Sequence, residues 1–338
     1  MNNNNNNQPK ILVVKTFDEA AAEARAKVAL ERSGKQLGLL TRFEGINAAM
    51  LKYFRFGHVT MLAGASGSGK SAILNMFEDD FTNTAINGNF YGETMVIACK
   101  YEMAASDELL RTVSGKLEKS YGYLLSAERD KNTKAYNNIS DEEFKNIEEQ
   151  IEALKGRNIY YIEVAGNLFQ LYNTVAYYRE QYPNRKIVVT IDHSLLSVKL
   201  DEKDDLTLMS NTAHCAMKMK KSLGAMVIFI NQLNGEIEKS QRKENPALHY
   251  PQKTDIHCGN QLFWACEDVW TFHRPELLGI DLYGKRKIPT KNLIHGLLLK
   301  ARFGTIANVW FEQEFSKGRM LQKEADYFIN NAKSFGIS

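Results

Sequence analysis

Residues 64–71 read G-A-S-G-S-G-K-S and have the residue types and spacing that bind a polyphosphate. The glycines allow backbone N–H groups to turn toward phosphate oxygens, and a helix predicted to follow adds its positive N-terminal end. In such a loop Lys70 reaches the outer phosphates and the Ser71 hydroxyl holds Mg²⁺. The alternative is a glycine-rich turn with an incidental lysine. The predicted nucleotide contacts are Gly64, Ala65, Ser66, Gly67, Ser68, Gly69, Lys70 and Ser71.

Three polar side chains, Glu102, Asp192 and Gln232, follow apolar runs of the kind that form buried strands. Asp192 has the pattern of a Walker B carboxylate, which orients Mg²⁺ beside Ser71. Glu102 is expected to polarise a water molecule in line with the γ-phosphate, or else to be an acid that favours the positive end of a helix. Gln232 either senses the γ-phosphate or caps the sheet edge. These three residues and Lys70 complete the predicted chemistry of this site.

Lys300 and Arg302 lie two residues apart in a strand-like segment and are expected to point to the same face. Both cations are suited to meet phosphate oxygens supplied by an adjacent subunit, where they would neutralise charge that develops during phosphoryl transfer. The alternative is an exposed basic edge that resists aggregation. We count both residues among the predicted catalytic groups.

Short apolar runs that alternate with helical segments predict a mostly parallel sheet covered by helices, an α/β fold. Ser106 is expected to cap the helix after the second core strand, and residues 236–253 to form a charged loop without periodicity. Ligands bind at the carboxyl ends of strands in such sheets, where the polar residues named above fall. The predicted strands are residues 58–63, 94–99, 158–164, 185–192, 225–232, 267–272 and 297–300, with a hairpin tip near 283–287 and a closing strand at 309–315.

Three segments of different composition follow one another along the 338 residues. Residues 1–9 are asparagine-rich and predict a disordered tail, residues 10–36 a linker helix, and residues 37–338 a globular domain. A formal net charge of +3 neither requires nor excludes nucleic acid, so any contact with DNA must be local. The four cysteines show no C-x-x-C spacing, and no apolar run approaches membrane-spanning length. We therefore expect a cytoplasmic protein with reduced thiols and no membrane partner.

Seven segments, in order and spacing, resemble the DnaB family of replicative helicases, a branch of the RecA-like ATPases. The resemblance covers about residues 38–320. The segments are residues 38–43 (G-L-L-T-R-F, similar to G-[IV]-P-T-G-F), 64–71 (the phosphate loop), 100–103 (K-Y-E-M, similar to S-L-E-M), 191–196 (I-D-H-S-L-L, similar to V-D-Y-L-Q-L), 231–234 (N-Q-L-N, similar to S-Q-L-N), 300–304 (K-A-R-F-G, similar to K-x-R-N-G) and 311–315 (F-E-Q-E-F, similar to F-x-x-x-F).

The resemblance implies a RecA-like P-loop core that uses ATP and Mg²⁺, with Glu102 as the catalytic base. It also implies that Lys300 and Arg302 act in trans, as the arginine finger of a homo-oligomeric, hexameric ring on single-stranded DNA. A primase or loader protein is the implied partner. The family's N-terminal collar domain has no counterpart here, which suggests a phage or plasmid type of helicase in a bacterial or phage-infected host cytosol.

Several departures from the family pattern bear on DNA binding. Gly235 replaces an arginine after Q-L-N, His257 stands where the family has a basic turn, and residues 201–205 are acidic. The predicted DNA contacts are Lys239, Arg242, Lys243, Lys253, Lys285, Arg286 and Lys287.

Two other functions compete with the helicase. The first is a different RecA-like role, as a recombinase or as an ATPase that loads or regulates another replication protein. The second is a nucleotide-bound scaffold, which Glu102 argues against because a scaffold needs no general base.

Overall fold

The computed structural model of the chain describes residues 14–90, 92–192, 197–200 and 202–332. The tail predicted at residues 1–9 and positions 193–196 of the Walker B-like segment lie outside the described residues. The chain divides into two compact units, residues 1–37 and 38–338. In the first unit, the predicted helix is confirmed as α1 (Phe17–Arg32). Thr16 caps it, because its hydroxyl accepts from the Glu19 N–H while the Glu19 carboxylate accepts from the Thr16 N–H.

A mostly parallel sheet forms the centre of the second unit, as the sequence predicts. Among the described residues its strand order is β13-β12-β11-β8-β3-β7-β6-β4-β5. All pairings from β8 to β5 are parallel, and β11, β12 and β13 continue the sheet in antiparallel fashion. Two short pairs, β1 with β2 and β9 with β10, lie outside it. The strands are β1 (Gly38–Leu39), β2 (Phe54–Arg55), β3 (Val59–Gly64), β4 (Thr94–Lys100), β5 (Ile159–Ile162), β6 (Lys186–Asp192), β7 (Met226–Gln232), β8 (Asp268–His273), β9 (Leu282–Tyr283), β10 (Ile288–Pro289), β11 (Leu293–Ala301), β12 (Asn308–Glu314) and β13 (Arg319–Lys323).

Helices connect the parallel strands and cover the sheet. Within the described residues, no helix combines the length and the apolar character needed to cross a bilayer. The helices of this unit are α2 (Glu44–Ala49), α3 (Lys70–Phe81), α4 (Thr84–Asn87), α5 (Ala105–Leu117), α6 (Tyr121–Leu124), α7 (Asp141–Ala153), α8 (Leu168–Gln181), α9 (Asp205–Leu223), α10 (Ser240–Glu244), α11 (Gly259–Ala265) and α12 (Ala325–Asn330).

The central strands are mostly apolar, since both of their faces are buried. Alternate residues of one strand enter different cores: Leu62 and Val96 belong to one cluster, whereas Met61 and Ile97 belong to the other. Every residue of β3 and β4 is buried. This is why the sequence shows continuous apolar runs here, as parallel strands between two helical layers require.

Several predicted details are wrong. The closing strand is not β12 but β13, which lies at the edge of the sheet. β11 begins at Leu293, four residues before the predicted start at Leu297. The prediction began too late because His295 and Gly296, which are part of the strand, interrupt its apolar pattern. Ser106 lies inside α5, whose N-cap is Ala104. The charged loop predicted at residues 236–253 contains the short helix α10 and two single turns of 3₁₀-helix.

A buried ion pair joins three elements beneath the phosphate loop. The Lys100 ammonium at the end of β4 lies 2.9 Å from a Glu78 carboxylate oxygen on α3, and both side chains are 1% exposed. The other Glu78 oxygen accepts a hydrogen bond of 2.6 Å from Thr190 on β6. Burial by itself lowers the pKa of Lys100, but the carboxylates of Glu78, Glu108 and Asp192 outweigh that effect and raise it. The ammonium therefore stays charged, and its contact with Glu78, together with the hydrogen bond from Thr190, fixes α3, β4 and β6 to one another.

We expect Lys100→Met to lower the free energy of unfolding by about 3–5 kcal/mol, because it leaves the Glu78 carboxylate buried without its counter-ion. Lys100→Met combined with Glu78→Gln should recover most of that loss, since glutamine is neutral and still accepts from Thr190. Urea unfolding followed by circular dichroism measures both.

The matched control is Lys145→Met, which removes a lysine from an ion pair with Glu149 whose side chains are 74% and 60% exposed. We expect a change below about 0.5 kcal/mol there. A Lys100→Met protein as stable as the control would contradict the structural role of the buried pair.

Candidate nucleotide site

The phosphate loop connects β3 to α3 and requires glycine at two positions. Gly69 is the N-cap of α3 with φ +93°, and a side chain there would overlap the Phe315 ring. Gly64 ends β3, where a Cβ would overlap the Ser68 hydroxyl and lie 2.6 Å from the Phe272 carbonyl oxygen. Gly69 is needed because of its positive φ and the nearby Phe315 ring, and Gly64 because a side chain there has no space.

A cavity of about 410 Å³ opens above this loop, at the carboxyl ends of the parallel strands. That volume is typical of sites that hold a small molecule such as a nucleotide. The structure brings Lys70, Ser71, Glu102, Asp192 and Gln232 together as lining residues of the cavity. The chain supplies these groups from β3, β4, β6 and β7 or from the residues just beyond them, as the α/β topology predicts.

Ser71 and Asp192 meet at one side of the cavity. The Ser71 hydroxyl donates a hydrogen bond of 3.1 Å to a carboxylate oxygen of Asp192. A hydroxyl and a carboxylate are the oxygen donors that Mg²⁺ prefers, and the ion usually keeps several waters as its other ligands. The two residues thus fit the predicted magnesium site. Among the described residues no cluster of three or more His, Cys, Asp or Glu side chains is arranged to hold a metal, and all four cysteines are free thiols.

The Lys70 ammonium folds back on its own loop and donates a hydrogen bond of 2.7 Å to the Ala65 carbonyl oxygen. Burial lowers the pKa of Lys70 to about 8, and the nearby carboxylates of Asp192 and Glu102 only partly offset this. An oxyanion bound in the cavity would complete the neutralisation of the buried Lys70 ammonium and raise its pKa.

Eight further residues line the cavity and were not among the predicted site residues. Phe315 packs against Gly69, and the Arg274 guanidinium stacks on the Phe315 ring and donates a hydrogen bond of 3.1 Å to the Gly67 carbonyl oxygen. Phe315 closes the F-x-x-x-F segment, so a sequence signal for it existed, whereas no motif marks the others as site residues. The eight residues are Ala72, Asn75, Arg111, Ser114, Tyr121, Ile230, Phe315 and Gly318.

Lys300 and Arg302 lie near the amino ends of the parallel strands, which we call the amino edge of the sheet. The cavity lies at the carboxyl ends of these strands, which we call the carboxyl edge. Ala301 pairs with Asp268, and Asp268 pairs with Thr60 near the start of β3, whereas the phosphate loop follows the end of β3. β3 has six residues, so about 20 Å of strand separates the two edges. Lys300 and Arg302 therefore do not reach the cavity of their own chain.

The predicted DNA contacts occupy two regions with different degrees of exposure. Lys285, Arg286 and Lys287 form the exposed turn between β9 and β10, which confirms the predicted hairpin tip. Lys239 is exposed and pairs with Glu236, whereas Lys243 and Lys253 are half-buried.

Arg242 is engaged inside the fold, which argues against its predicted contact with DNA. Its guanidinium pairs at 3.0 Å with both carboxylate oxygens of Asp255 and donates to the carbonyl oxygens of Leu248 and Tyr250. The side chain is 12% exposed and that of Asp255 is fully buried. Arg242 therefore holds the segment 242–255 together and leaves little of its charge for a phosphate.

We expect a nucleotide to bind with proton uptake at alkaline pH. At pH 8.5 Lys70 of the nucleotide-free protein is mostly uncharged, because its pKa is about 8. Bound phosphates favour the charged form, so binding should take up a proton, and less so at pH 7. Calorimetric titration with Mg²⁺-ADP in two buffers of different ionisation enthalpy measures this uptake.

Lys70→Arg is the control, since arginine stays charged at both pH values and should show no uptake. Equal heats in the two buffers at pH 8.5 for the unaltered protein would contradict the assignment of Lys70 as the group that binds the phosphates and takes up the proton.

Comparisons with known proteins agree with this architecture. A comparison with curated protein sequences gives no match. Two solved structures share the fold. One, an ATPase domain, has a TM-score of 0.70 at 17% identity and covers 90% of this chain and 98% of its own. The other, "The Structure Of A DnaB-Like Replicative Helicase And Its Interactions With Primase", has a TM-score of 0.70 at 16% identity and covers 92% of this chain and 68% of its own.

The family described as DnaB-like helicase C terminal domain matches residues 38–317, which is most of the chain. This range contains the phosphate loop, every cavity-lining residue except Gly318, and the opposite edge with Lys300 and Arg302. The RecA-like fold predicted from the sequence is therefore confirmed, and the chain belongs to the family of DnaB-like helicase C-terminal domains.

Proposed function

We propose that this protein is an ATP-driven replicative DNA helicase that acts as a ring on single-stranded DNA and hydrolyses ATP between its subunits. One observation carries the proposal: the groups suited to ATP hydrolysis lie at two opposite edges of one sheet. Lys70, Ser71, Glu102, Asp192 and Gln232 line the cavity at the carboxyl edge. The cations Lys300 and Arg302 lie at the amino edge.

Each residue of the cavity has a distinct task in this reaction. The backbone of the phosphate loop and the Lys70 ammonium bind the phosphates, and Ser71 and Asp192 would hold Mg²⁺, which would neutralise charge on the phosphate oxygens. The Glu102 carboxylate is exposed in the cavity and accepts a proton from the attacking water. Gln232, at the end of β7, responds to the γ-phosphate through its amide.

The opposite positions of the two groups support a site shared between copies of the chain. Because about 20 Å of strand separates them, Lys300 and Arg302 can only act on a nucleotide held by a second copy. Head-to-tail contacts of this kind close into a ring when the rotation between neighbours permits it. The guanidinium of Arg302 then stabilises charge on the transferred phosphoryl group, as an arginine finger does.

Binding of single-stranded DNA is supported by the exposed cations Lys285, Arg286 and Lys287, together with Lys239. Lys243 and Lys253 remain candidates, whereas Arg242 is the weakest because Asp255 neutralises it. The solved DnaB-like helicase interacts with primase, and we propose a primase or loader protein as a partner in the cytoplasm for this chain too.

A second candidate is a RecA-like ATPase that acts as a recombinase or as a loader or regulator of another helicase. The segment after Asp192 favours it, since Asp204 and Asp205 are exposed acids at the start of α9. Acidic side chains repel the DNA backbone. Separation of the strands of a forked duplex distinguishes the helicase from this alternative.

We expect single-stranded DNA to raise ATP turnover at least about tenfold, because hydrolysis is coupled to movement along the strand. Lys70→Ala, Glu102→Gln and Arg302→Ala should each lower turnover about 100-fold or more. Arg129→Ala, which removes an exposed arginine that does not line the cavity, is the matched control and should leave turnover unchanged.

Mixing the two inactive variants Lys70→Ala and Arg302→Ala should restore part of the activity. Some interfaces then pair an intact phosphate loop with an intact Arg302. A mixture without activity would contradict the shared site, and turnover indifferent to DNA would favour the loader or regulator.

A further inference from the structure

An exposed tryptophan stands beside Lys300 and Arg302 at the amino edge of the sheet. Trp264, near the end of α11, has 64% of its surface exposed. The Lys300 ammonium donates to the carbonyl oxygens of Phe263 at 2.6 Å and Trp264 at 3.3 Å, and Arg302 donates to that of Trp264 at 3.4 Å. The two cations are thus held against the backbone of the residue that carries the indole.

The surface around the indole is aromatic and cationic. The Lys253 ammonium lies 4.3 Å from the centre of the indole ring and the Lys300 ammonium 5.8 Å from it. The nearby acids Glu267 and Asp268 are buried, and Glu267 is paired with Lys220 at 2.6 Å and with Arg302 at 3.4 Å. An exposed aromatic ring with cations held against it has the chemistry that binds a nucleotide, through base stacking and phosphate contacts.

We propose that Trp264 stacks on the base of the nucleoside triphosphate that a second copy of this chain holds in its phosphate loop. This inference rests on the proposed function, because it uses the same interface. The chain's own nucleotide is excluded, since its cavity lies at the opposite edge of the sheet. The neighbour's cavity is lined by two carboxylates and two cations, so the phosphates of a bound nucleotide would give it a net negative charge, which is complementary to the charge of Lys253, Lys300 and Arg302.

The proposed stacking predicts which nucleoside triphosphates bind most tightly. An indole face offers no hydrogen bonds that distinguish one base from another, so ATP and GTP should bind with similar affinity. Purines have a larger ring surface than pyrimidines and should be preferred. Lys300 and Arg302 contact the phosphates, whereas Trp264 contacts the base and favours purines over pyrimidines.

Intrinsic fluorescence provides a direct test, because the other two tryptophans are less exposed: Trp270 is fully buried and Trp310 stacks on His295 at 4.1 Å. Addition of a non-hydrolysable ATP analogue with Mg²⁺ should quench the emission of the assembled protein. The quenching should be absent from Trp264→Phe, which retains an aromatic face, and from Lys70→Ala, which does not bind the nucleotide. Quenching by an oligothymidylate without nucleotide, retained in Lys70→Ala, would instead identify a DNA site and overturn the proposal.

Steady-state kinetics give a second test. Trp264→Ala should raise KM for ATP roughly 5- to 150-fold and reduce the preference for purines, whereas Trp264→Phe should retain most of both. Phe144→Ala, which removes an exposed aromatic ring from α7, is the matched control. A KM for Trp264→Ala equal to that of the control would overturn the inference.

A mixture of subunits tests whether the contact is made in trans. Trp264→Ala subunits keep an intact phosphate loop, and Lys70→Ala subunits keep Trp264, so a mixture should regain sites of low KM. A mixture without such sites means that Trp264 acts within its own chain, which overturns the inference. If the Lys70→Ala and Arg302→Ala mixture is active while Trp264→Ala matches the control, only this inference fails and the proposed function stands.

Discussion

The nucleotide site depends on the buried contact between Lys100 and Glu78. Glu78 is on the helix that begins at Lys70, and Lys100 ends the strand that leads to Glu102. The hydrogen bond from Thr190 adds the strand that ends at Asp192. One ion pair without access to water therefore fixes the distances among the groups that we propose to bind phosphate, activate water and hold magnesium. Such a pair costs desolvation energy, but its breakage leaves a buried charge, so it tolerates only one arrangement.

The central sheet separates two sets of charged groups. Its carboxyl edge carries the cavity with the phosphate loop, whereas its amino edge carries Lys300, Arg302 and Trp264. A single copy cannot bring the two edges together, since the strands between them are rigid and buried. In the proposed function, copies that assemble head to tail would complete the site, and the exposed indole beside the two cations would then lie at the contact between copies.

The position of basic residues in the sequence is a poor guide to which of their charges are exposed in this chain. Arg242 resembles the other basic residues in sequence, yet it binds Asp255 and two carbonyl oxygens inside its own segment. Lys285, Arg286 and Lys287 extend from a hairpin between two short strands and are exposed. The difference arises because the partner of Arg242 is thirteen residues away, in a segment whose fold brings the two together. Exposure, and not charge alone, therefore decides which cations can meet phosphates.

The sequence by itself determined the local features: the phosphate loop, the buried strands with polar residues at their ends, and the parallel α/β architecture. These depend on residue type, spacing and apolar runs, which are read along a short stretch of chain. Only the tertiary structure decided the edge strand β13, the inward position of Arg242, the pairing of Lys100 with Glu78, and the additional cavity residues Asn75 and Arg111. Each of these depends on contacts between residues far apart in sequence, or on which edge of the sheet a residue occupies. Local patterns do not encode such contacts, because they arise from the packing of whole elements.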